Sequence, residues 1–313
     1  MNKIKNSCFD DFINNISAND DEIRRIQSSH NNVRDILDQS ELNVQIFKKV
    51  LVGSYSRSTN IKTLVDDDKK IDVDLAVIFN KNSYNKPQSI LDKLYNLLNS
   101  TNEYKGKLVR QKRSIGIELS KTHLDVVPFQ CVNNENDIPL YISKQNKQEW
   151  ELTDPIGHKE HYKKVKENKP LFVEYVKAIK WWKKINKKNG SKYPIGIAIE
   201  ELVSIYYASD ENKFTGLIKT MKGISTHKNN YLQDPRNKDN NFFSNMNDQQ
   251  YNDFISIFSS SISEIEKGLE YQNIDIIRNQ FGFDFPKCQI YTEKDSEYIK
   301  QKTSGLSNYS SRK

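Results

Sequence analysis

The chain has 313 residues, 36% of them hydrophobic, and a formal net charge of +7. That length allows two domains with sizeable cores, and the basic excess suits either a polyanionic partner or a plain lysine-rich surface. The mean hydropathy is low, at -0.78, yet fourteen Phe, sixteen Tyr and three Trp exclude a chain too polar to build a core.

The N-terminal stretch MNKIKNSCFDDF holds no apolar signal core, and no run approaches membrane-spanning length. A cytoplasmic protein with no membrane partner is expected. Phe9, Phe12, Ile13 and Ile16 fit one face of a short helix. A second helix is expected from Asn19, with Glu22 completing a capping-box pair, and Ile23, Ile26, Val33 and Leu37 on one stripe. Both helices are expected to brace a catalytic core. Strand signals then dominate from about 47 to 130. KVLV (49–52) runs into the turn GSYSRST, and IDVDLAVIF (71–79) alternates before becoming continuously apolar, as an interior strand does. PQSILDKLYNLLNS (87–100) reads as a helix opened by Pro87. LVRQK, IGIEL and THLDVVPF follow as strands.

Beyond about residue 150 the pattern becomes helical, with helices expected from Pro155 and over 171–185, 194–208 and 247–271. DPRNKDNNFF (234–243) reads as an irregular polar loop, and TSGLSNYSSRK (303–313) as a frayed tail. The expected fold is thus α/β plus α. Residues 1–150 form a mixed-sheet core with its bracing helices, and residues 151–313 form a helical domain. Cys8, Cys131 and Cys288 lie far apart without a CxxC pair, so neither a zinc site nor a disulfide framework is expected.

Asp72 and Asp74 carry the chemistry. Side chains two apart on a strand share a face, roughly 6.5–7 Å apart at the backbone. Two carboxylates so placed repel unless a cation lies between them. If the strand holding Asp125 pairs beside theirs, three hard oxygen ligands meet, a set suited to Mg²⁺. Two such ions, about 3.5–4 Å apart, can activate a hydroxyl and stabilise a leaving pyrophosphate. Gly53 lets backbone amides approach a triphosphate closely, Ser54 adds a hydroxyl, and Arg57 and Thr59 extend the grip. Each element alone is commonplace; a Gly-Ser pair is most often only a turn. Together and in this order they indicate nucleotidyl transfer.

GSYSRST, then DVD, then the LDV of HLDVVPF resemble the DNA polymerase β-type nucleotidyltransferase signature. More narrowly, VKAIKWWKK followed by YPIGIAIEELV, and DPRNKDNN, resemble the bacterial cGAS/DncV-like nucleotidyltransferases (CD-NTases) of CBASS anti-phage systems. The resemblance spans roughly residues 45–245; Lys238 stands where a second proline is usual, and Ser58 where many relatives carry glycine. It implies a bilobed enzyme with the active site in the cleft. Asp72, Asp74 and Asp125 would hold two Mg²⁺, which Mn²⁺ can replace, and Gly53 and Ser54 would hold the donor triphosphate. GTP, ATP or both would be joined into a cyclic oligonucleotide, here a dinucleotide, that acts on a separate effector protein. A nucleic-acid activator is compatible with the basic surface.

Lys177, Lys180 and Lys184 form a basic stripe, of which Lys180 best matches a triphosphate-binding lysine of the relatives; a solvated face is the plain reading. Tyr193 either stacks on a base or packs in the core, and Trp181 and Trp182 read as core. Asp154 reads as an N-cap before Pro155 or as a base reader. A carboxylate accepts hydrogen bonds only, and guanine offers adjacent N1–H and N2–H₂ donors; in that role Asp154 favours guanine and cyclic di-GMP. His123, His158 and His161 invite a metal-ligand reading, against which stands the plainer one of surface histidines. An RNA-end nucleotidyltransferase of the tailing or CCA-adding type is the competing activity.

Overall fold

The structure is a computed structural model, and it describes residues 2–63, 70–120, 122–132, 140–144, 148–188 and 190–292. The tail 303–313 lies outside them. In chain order the elements are β1 (Lys3–Ile4), α1 (Asn6–Ile16), α2 (Asp20–Asp38), a 3-10 turn (Glu41–Gln45), β2 (Ile46–Val52), α3 (Gly53–Ser56), β3 (Ile71–Phe79) and α4 (Pro87–Ser100). Then come β4 (Leu108–Arg110), β5 (Ile115–Glu118), β6 (Thr122–Cys131), β7 (Leu140–Ser143), β8 (Trp150–Thr153), α5 (Pro155–Asn168), α6 (Phe172–Asn186) and α7 (Gly196–Tyr206). The last are α8 (Lys213–Ser225), β9 (Gln233–Asp234), β10 (Asn237–Asn241), α9 (Asp248–Glu270), α10 (Ile274–Phe281) and β11 (Ile290–Tyr291).

Several boundaries follow from local chemistry. The Asn19 side chain accepts the Glu22 N–H at 2.9 Å, and Glu22 accepts the Asn19 N–H at 2.8 Å, closing a capping box on α2. Pro87 sits in the first turn of α4, where its missing N–H costs nothing. Ser58, at φ +63°, adopts the left-handed conformation that glycine supplies without penalty.

The chain divides into two compact units. One comprises Ala18–Asn168 and Gln233–Asn240, and the other Met1–Ser17, Lys169–Leu232 and Asn241–Lys313. The division therefore does not fall at residue 150. Helix α1 belongs with the helical elements because Phe9 and Phe12 pack on Tyr175, Phe214, Phe281 and Phe285. Helix α5 and the hairpin β9–β10 belong with the sheet.

In the sheet unit the strand order is β2-β3-β6-β5-β4, with β7 on β6 and β8 on β7. Among the described residues of this sheet, β3 and β6 pair in parallel and the other partners are antiparallel. Alternation sorts β3 between two faces. Val73, Leu75, Val77 and Phe79 pack in one cluster with Ile26, Val33 and Leu37 of α2 and Ile90, Leu91, Leu94 and Leu98 of α4. Ala76 and Ile78 enter a second cluster with Val52, Phe129 and Leu140. Each such fully buried side chain contributes about 1.5–3 kcal/mol of transfer free energy. The register is therefore strongly specified, since a one-residue slip would turn the apolar set away from the helices. The acids at 72 and 74 fall on the face opposite α2 and α4, in line with Ala76 and Ile78.

In the helical unit Cys8 and Cys288 form a disulfide, with Cα atoms 6.3 Å apart. This corrects the expectation of no disulfide: residues 280 apart in sequence are brought together by the pairing of β1 with β11, which spacing cannot reveal. Cys131 is free and buried.

Candidate active site

The site is built from two neighbouring strand ends. In the parallel β3–β6 ladder Asp74 pairs with Asp125, and Asp72 with His123. Direct partners share a face, so all four side chains lie on the side away from α2 and α4. On the other flank Val52, the last residue of β2, pairs with Asp74. The chain then enters Gly53 at φ +67°, and a Cβ there would lie 1.8 Å from Asp74 Oδ2. Only glycine permits both the turn and this close approach to the carboxylate.

The turn is closed by its own backbone. Arg57 and Thr59 N–H groups donate to Ser54 O at 3.2 and 3.0 Å, Ser58 N–H to Tyr55 O at 3.0 Å, and Ser56 Oγ to Gly53 O at 2.9 Å. Thr59 is fully buried and serves the turn. Arg57 is buried as well, with its guanidinium 5.7 Å from the centre of the Tyr162 ring. Lys166 of α5 donates to the Arg57 carbonyl.

Burial, reinforced by repulsion from Asp125 and Asp72, pushes the Asp74 carboxyl up to about 6; the charges of Arg57 and His123 oppose this. His123 is raised to about 9, chiefly by its hydrogen bond to Asp125, against the opposing effect of burial. Its Nε2 lies 3.2 Å from Asp125 Oδ1 and its Nδ1 2.7 Å from Glu118 Oε1. Glu118 is held below the usual carboxylate range, first by its hydrogen bond from Lys70 at 2.8 Å. Ser114 Oγ lies 3.2 Å from Asp125 Oδ1 and 3.0 Å from Gln111 Oε1, and its one proton serves either.

The donor set fits divalent ions. It consists of hard carboxylate oxygens, and their mutual repulsion, seen in Asp74, is what a cation relieves. Among the described residues no three His, Cys, Asp or Glu side chains are drawn into a closed cluster. The trio shares a face and a register, with Asp125 Oδ1 turned to Ser114 and His123.

The other expected site residues have the following surroundings within their own units. Asp154 is buried and caps α5: its Oδ1 accepts the Gly157 N–H at 2.6 Å, and its Oδ2 accepts Arg236 Nε and Nη2, both at 2.8 Å. Both oxygens are engaged, one in capping α5 and the other in an ion pair, the surroundings expected of an N-cap acid. A Cβ on Gly157 would lie 1.9 Å from Asp154 Oδ2. Tyr193 is a core residue, packed on Trp182 and Phe254 with its hydroxyl donating to Asn186 O at 2.9 Å. Trp181 and Trp182 are fully buried. Lys180 pairs with Glu200 at 2.7 Å, and both side chains are buried in the helical unit.

His158 is not a surface histidine. It is buried, 2.7 Å from Asp234 Oδ1. Burial works against the Asp234 charge, but hydrogen bonds from His158, Asn240 and the Arg236 N–H hold its carboxyl below the usual range. The stretch expected as an irregular loop is thus a hairpin, and DPRNKDNN supplies the acid that ties it to α5. The supporting residues around Asp125, namely Ser114, Glu118 and His123, escaped sequence reasoning. One signal was present: His123 lies two residues before Asp125, on its face.

A mixed sheet carrying three aspartates at adjacent strand ends beside a closed Gly-Ser turn defines a nucleotidyltransferase of the DNA polymerase β type. Residues 3–166 match the Second Messenger Oligonucleotide or Dinucleotide Synthetase domain, SMODS. The match covers over half of the chain, and the chain belongs to that family. It is 27% identical to a cyclic AMP-AMP-AMP synthase of Acinetobacter sp., over 92% of this chain and 87% of the relative. It is 25% identical to a cyclic AMP-AMP-GMP synthase of Enterobacter hormaechei, over 62% of this chain and 66% of the relative. Among solved structures, the Bradyrhizobium diazoefficiens CD-NTase CdnG in complex with GTP superposes with a TM-score of 0.70 at 14% identity, covering 90% of this chain and 95% of that one. Escherichia coli CdnC with ATP gives 0.64 at 15% identity, covering 91% and 95%. At such identities these structures show the shared fold, that of the CD-NTases. No helix among the described residues is long and apolar enough to cross a membrane.

Proposed function

We propose that the chain joins nucleoside triphosphates into a cyclic oligonucleotide containing adenine, releasing pyrophosphate. The observation that carries this reading is the register of Asp72, Asp74 and Asp125 beside the Gly53 turn. The preference for adenine rests on the cyclic AMP-AMP-AMP synthase, to which the chain is similar over most of its length. Asp154, whose oxygens accept from Gly157 and Arg236, adds no separate support for guanine.

Asp72, Asp74 and Asp125 would hold Mg²⁺, or Mn²⁺ in its place. When bound, the ions supply charge for a triphosphate and lower the pKa of an attacking hydroxyl. The chain's own residues do the rest. Gly53 brings backbone close to the carboxylates, and with Ser54 it forms the surface for the donor phosphates. Buried Arg57 adds positive charge near Asp74. A ribose hydroxyl oxygen bonds to the α-phosphorus as the bond to the bridging oxygen of pyrophosphate breaks; its proton leaves to a base. Repetition and ring closure give the product, which would act on a separate effector in anti-phage defence.

Mass spectrometry of products from a mixture of four NTPs with Mg²⁺ tests the reading. The expected species are cyclic, phosphatase-resistant and rich in AMP. Extension of added RNA ends without cyclic product would support the RNA-tailing activity instead, and cyclic di-GMP as sole product would refute the adenine assignment.

A further inference from the structure

We propose that Glu118 and His123 form a positioning relay that fixes the Asp125 carboxylate for metal and substrate; this rests on the site reading above. The relay lies on the same strand face as the trio. His123 is the ladder partner of Asp72 and stands two residues before Asp125. Across the β5–β6 ladder, Glu118 is the direct partner of His123 and Gly116 the direct partner of Asp125.

The imidazole is held between two carboxylates. Nδ1 lies 2.7 Å from Glu118 Oε1 and Nε2 3.2 Å from Asp125 Oδ1, and the Gln111 side chain packs beside the ring without sharing the Nε2 proton. Glu118 is itself tied to Lys70 at 2.8 Å. The ring has room only because residue 116 lacks a side chain: a Cβ there would lie 2.8 Å from His123 Cε1. Ser114 adds a second contact to Asp125 Oδ1 and donates at 3.0 Å to Gln111 Oε1, or to Asp125 in the alternative hydroxyl rotamer.

An ordinary surface ion pair has one partner and free rotamers. Here one ring nitrogen is pinned by a carboxylate and the other is aimed at an acid of the trio. Both contacts to Asp125 fall on Oδ1, so the network fixes the carboxylate rotamer and leaves Oδ2 for a ligand. Groups that orient a metal ligand in this way typically change metal affinity or activity by 10–100-fold when removed.

The test uses the full chain and Mn²⁺ as probe, with binding measured by electron paramagnetic resonance without nucleotide and turnover measured separately. His123→Leu should weaken Mn²⁺ binding about 10–100-fold and lower kcat comparably, while the KM for NTP changes less than about threefold. His123→Gln, whose amide nitrogen reaches where Nε2 does, should restore most of both. Glu118→Ala should act in the same direction, yet add less than about twofold in the His123→Leu background, because two members of one relay are not additive. Thermal melts of all variants report folding separately.

Wild-type Mn²⁺ affinity retained within about twofold in His123→Leu would overturn the relay. So would a loss that His123→Gln leaves unrepaired while its melting temperature matches that of the wild type. Asp125→Asn is the reference: if it too leaves Mn²⁺ binding intact, the site reading fails along with the relay. If Asp125→Asn abolishes binding and His123→Leu does not change it, only the relay fails.

Discussion

Asp74→Asn removes a charge that folding disfavours. The folded protein raises this carboxyl from the ordinary 3.8 to about 6, through burial first and then repulsion from Asp125 and Asp72. At about 1.36 kcal/mol per pH unit, that difference corresponds to roughly 3 kcal/mol as an upper value. The sign follows from proton uptake. Between about pH 4 and 6 the folded state binds more protons than the unfolded state, so stability falls as pH rises, and the full penalty is present above the folded value. Asparagine carries no charge and escapes it. In EDTA at pH 7.5 the variant should be about 1–3 kcal/mol more stable than wild type, or several degrees in Tm for a domain of this size. The advantage should shrink to about half at pH 5. Mg²⁺ should raise the Tm of wild type by mass action and leave that of the variant nearly unchanged. Differential scanning calorimetry at the two pH values, with and without Mg²⁺, measures all of this. A variant less stable than wild type at pH 7.5 in EDTA would refute the reasoning, as would an advantage that does not vary with pH.

Gly53→Ala should cost at least about a hundredfold in turnover and lower the Tm, because its Cβ would collide with Asp74 Oδ2 at a backbone φ of +67°; steady-state kinetics and a melt check both. At subsaturating Mg²⁺, kcat/KM should fall as pH drops through about 6, since Asp74 then gains a proton and loses its hold on a cation; a profile flat to pH 5 would contradict this. Asp234→Asn should destabilise the protein by about 1–3 kcal/mol in urea denaturation, because it disrupts the buried hydrogen bond between His158 and Asp234. Cys8→Ser should lower stability by roughly 2–4 kcal/mol under oxidising conditions, and the difference from wild type should close in reductant.

The sheet half was legible because its signals are local and mutually consistent. IDVDLAVIF declares both its strand and the side on which its acids sit. Asn19 with Glu22, and Pro87, declare helix starts. GSYSRST declares a turn, but the close approach of Gly53 to Asp74 was not visible in it, since it depends on the β2–β3 register. What was hidden depends on contacts distant in sequence. The Cys8–Cys288 bond, the Asp154–Arg236 ion pair and the His158–Asp234 pair join positions that no periodicity relates. Asp154 illustrates the limit: the same carboxylate suits an N-cap or a nucleobase, and its partner Arg236 lies 82 residues away in sequence. Strands β7 and β8 are four residues each, and helix α10 eight, too short for a clear period. The network behind Asp125 needed the cross-strand register of Gly116 and Glu118.

Release of pyrophosphate from NTPs, followed in wild type and in Asp125→Asn, bears most directly on whether the three aspartates are the catalyst. Release should depend on Mg²⁺ in the wild type, be abolished by EDTA and fall at least about a thousandfold in an Asp125→Asn variant that still folds. Release that persists in Asp125→Asn, or that proceeds unchanged without divalent ions, would contradict this.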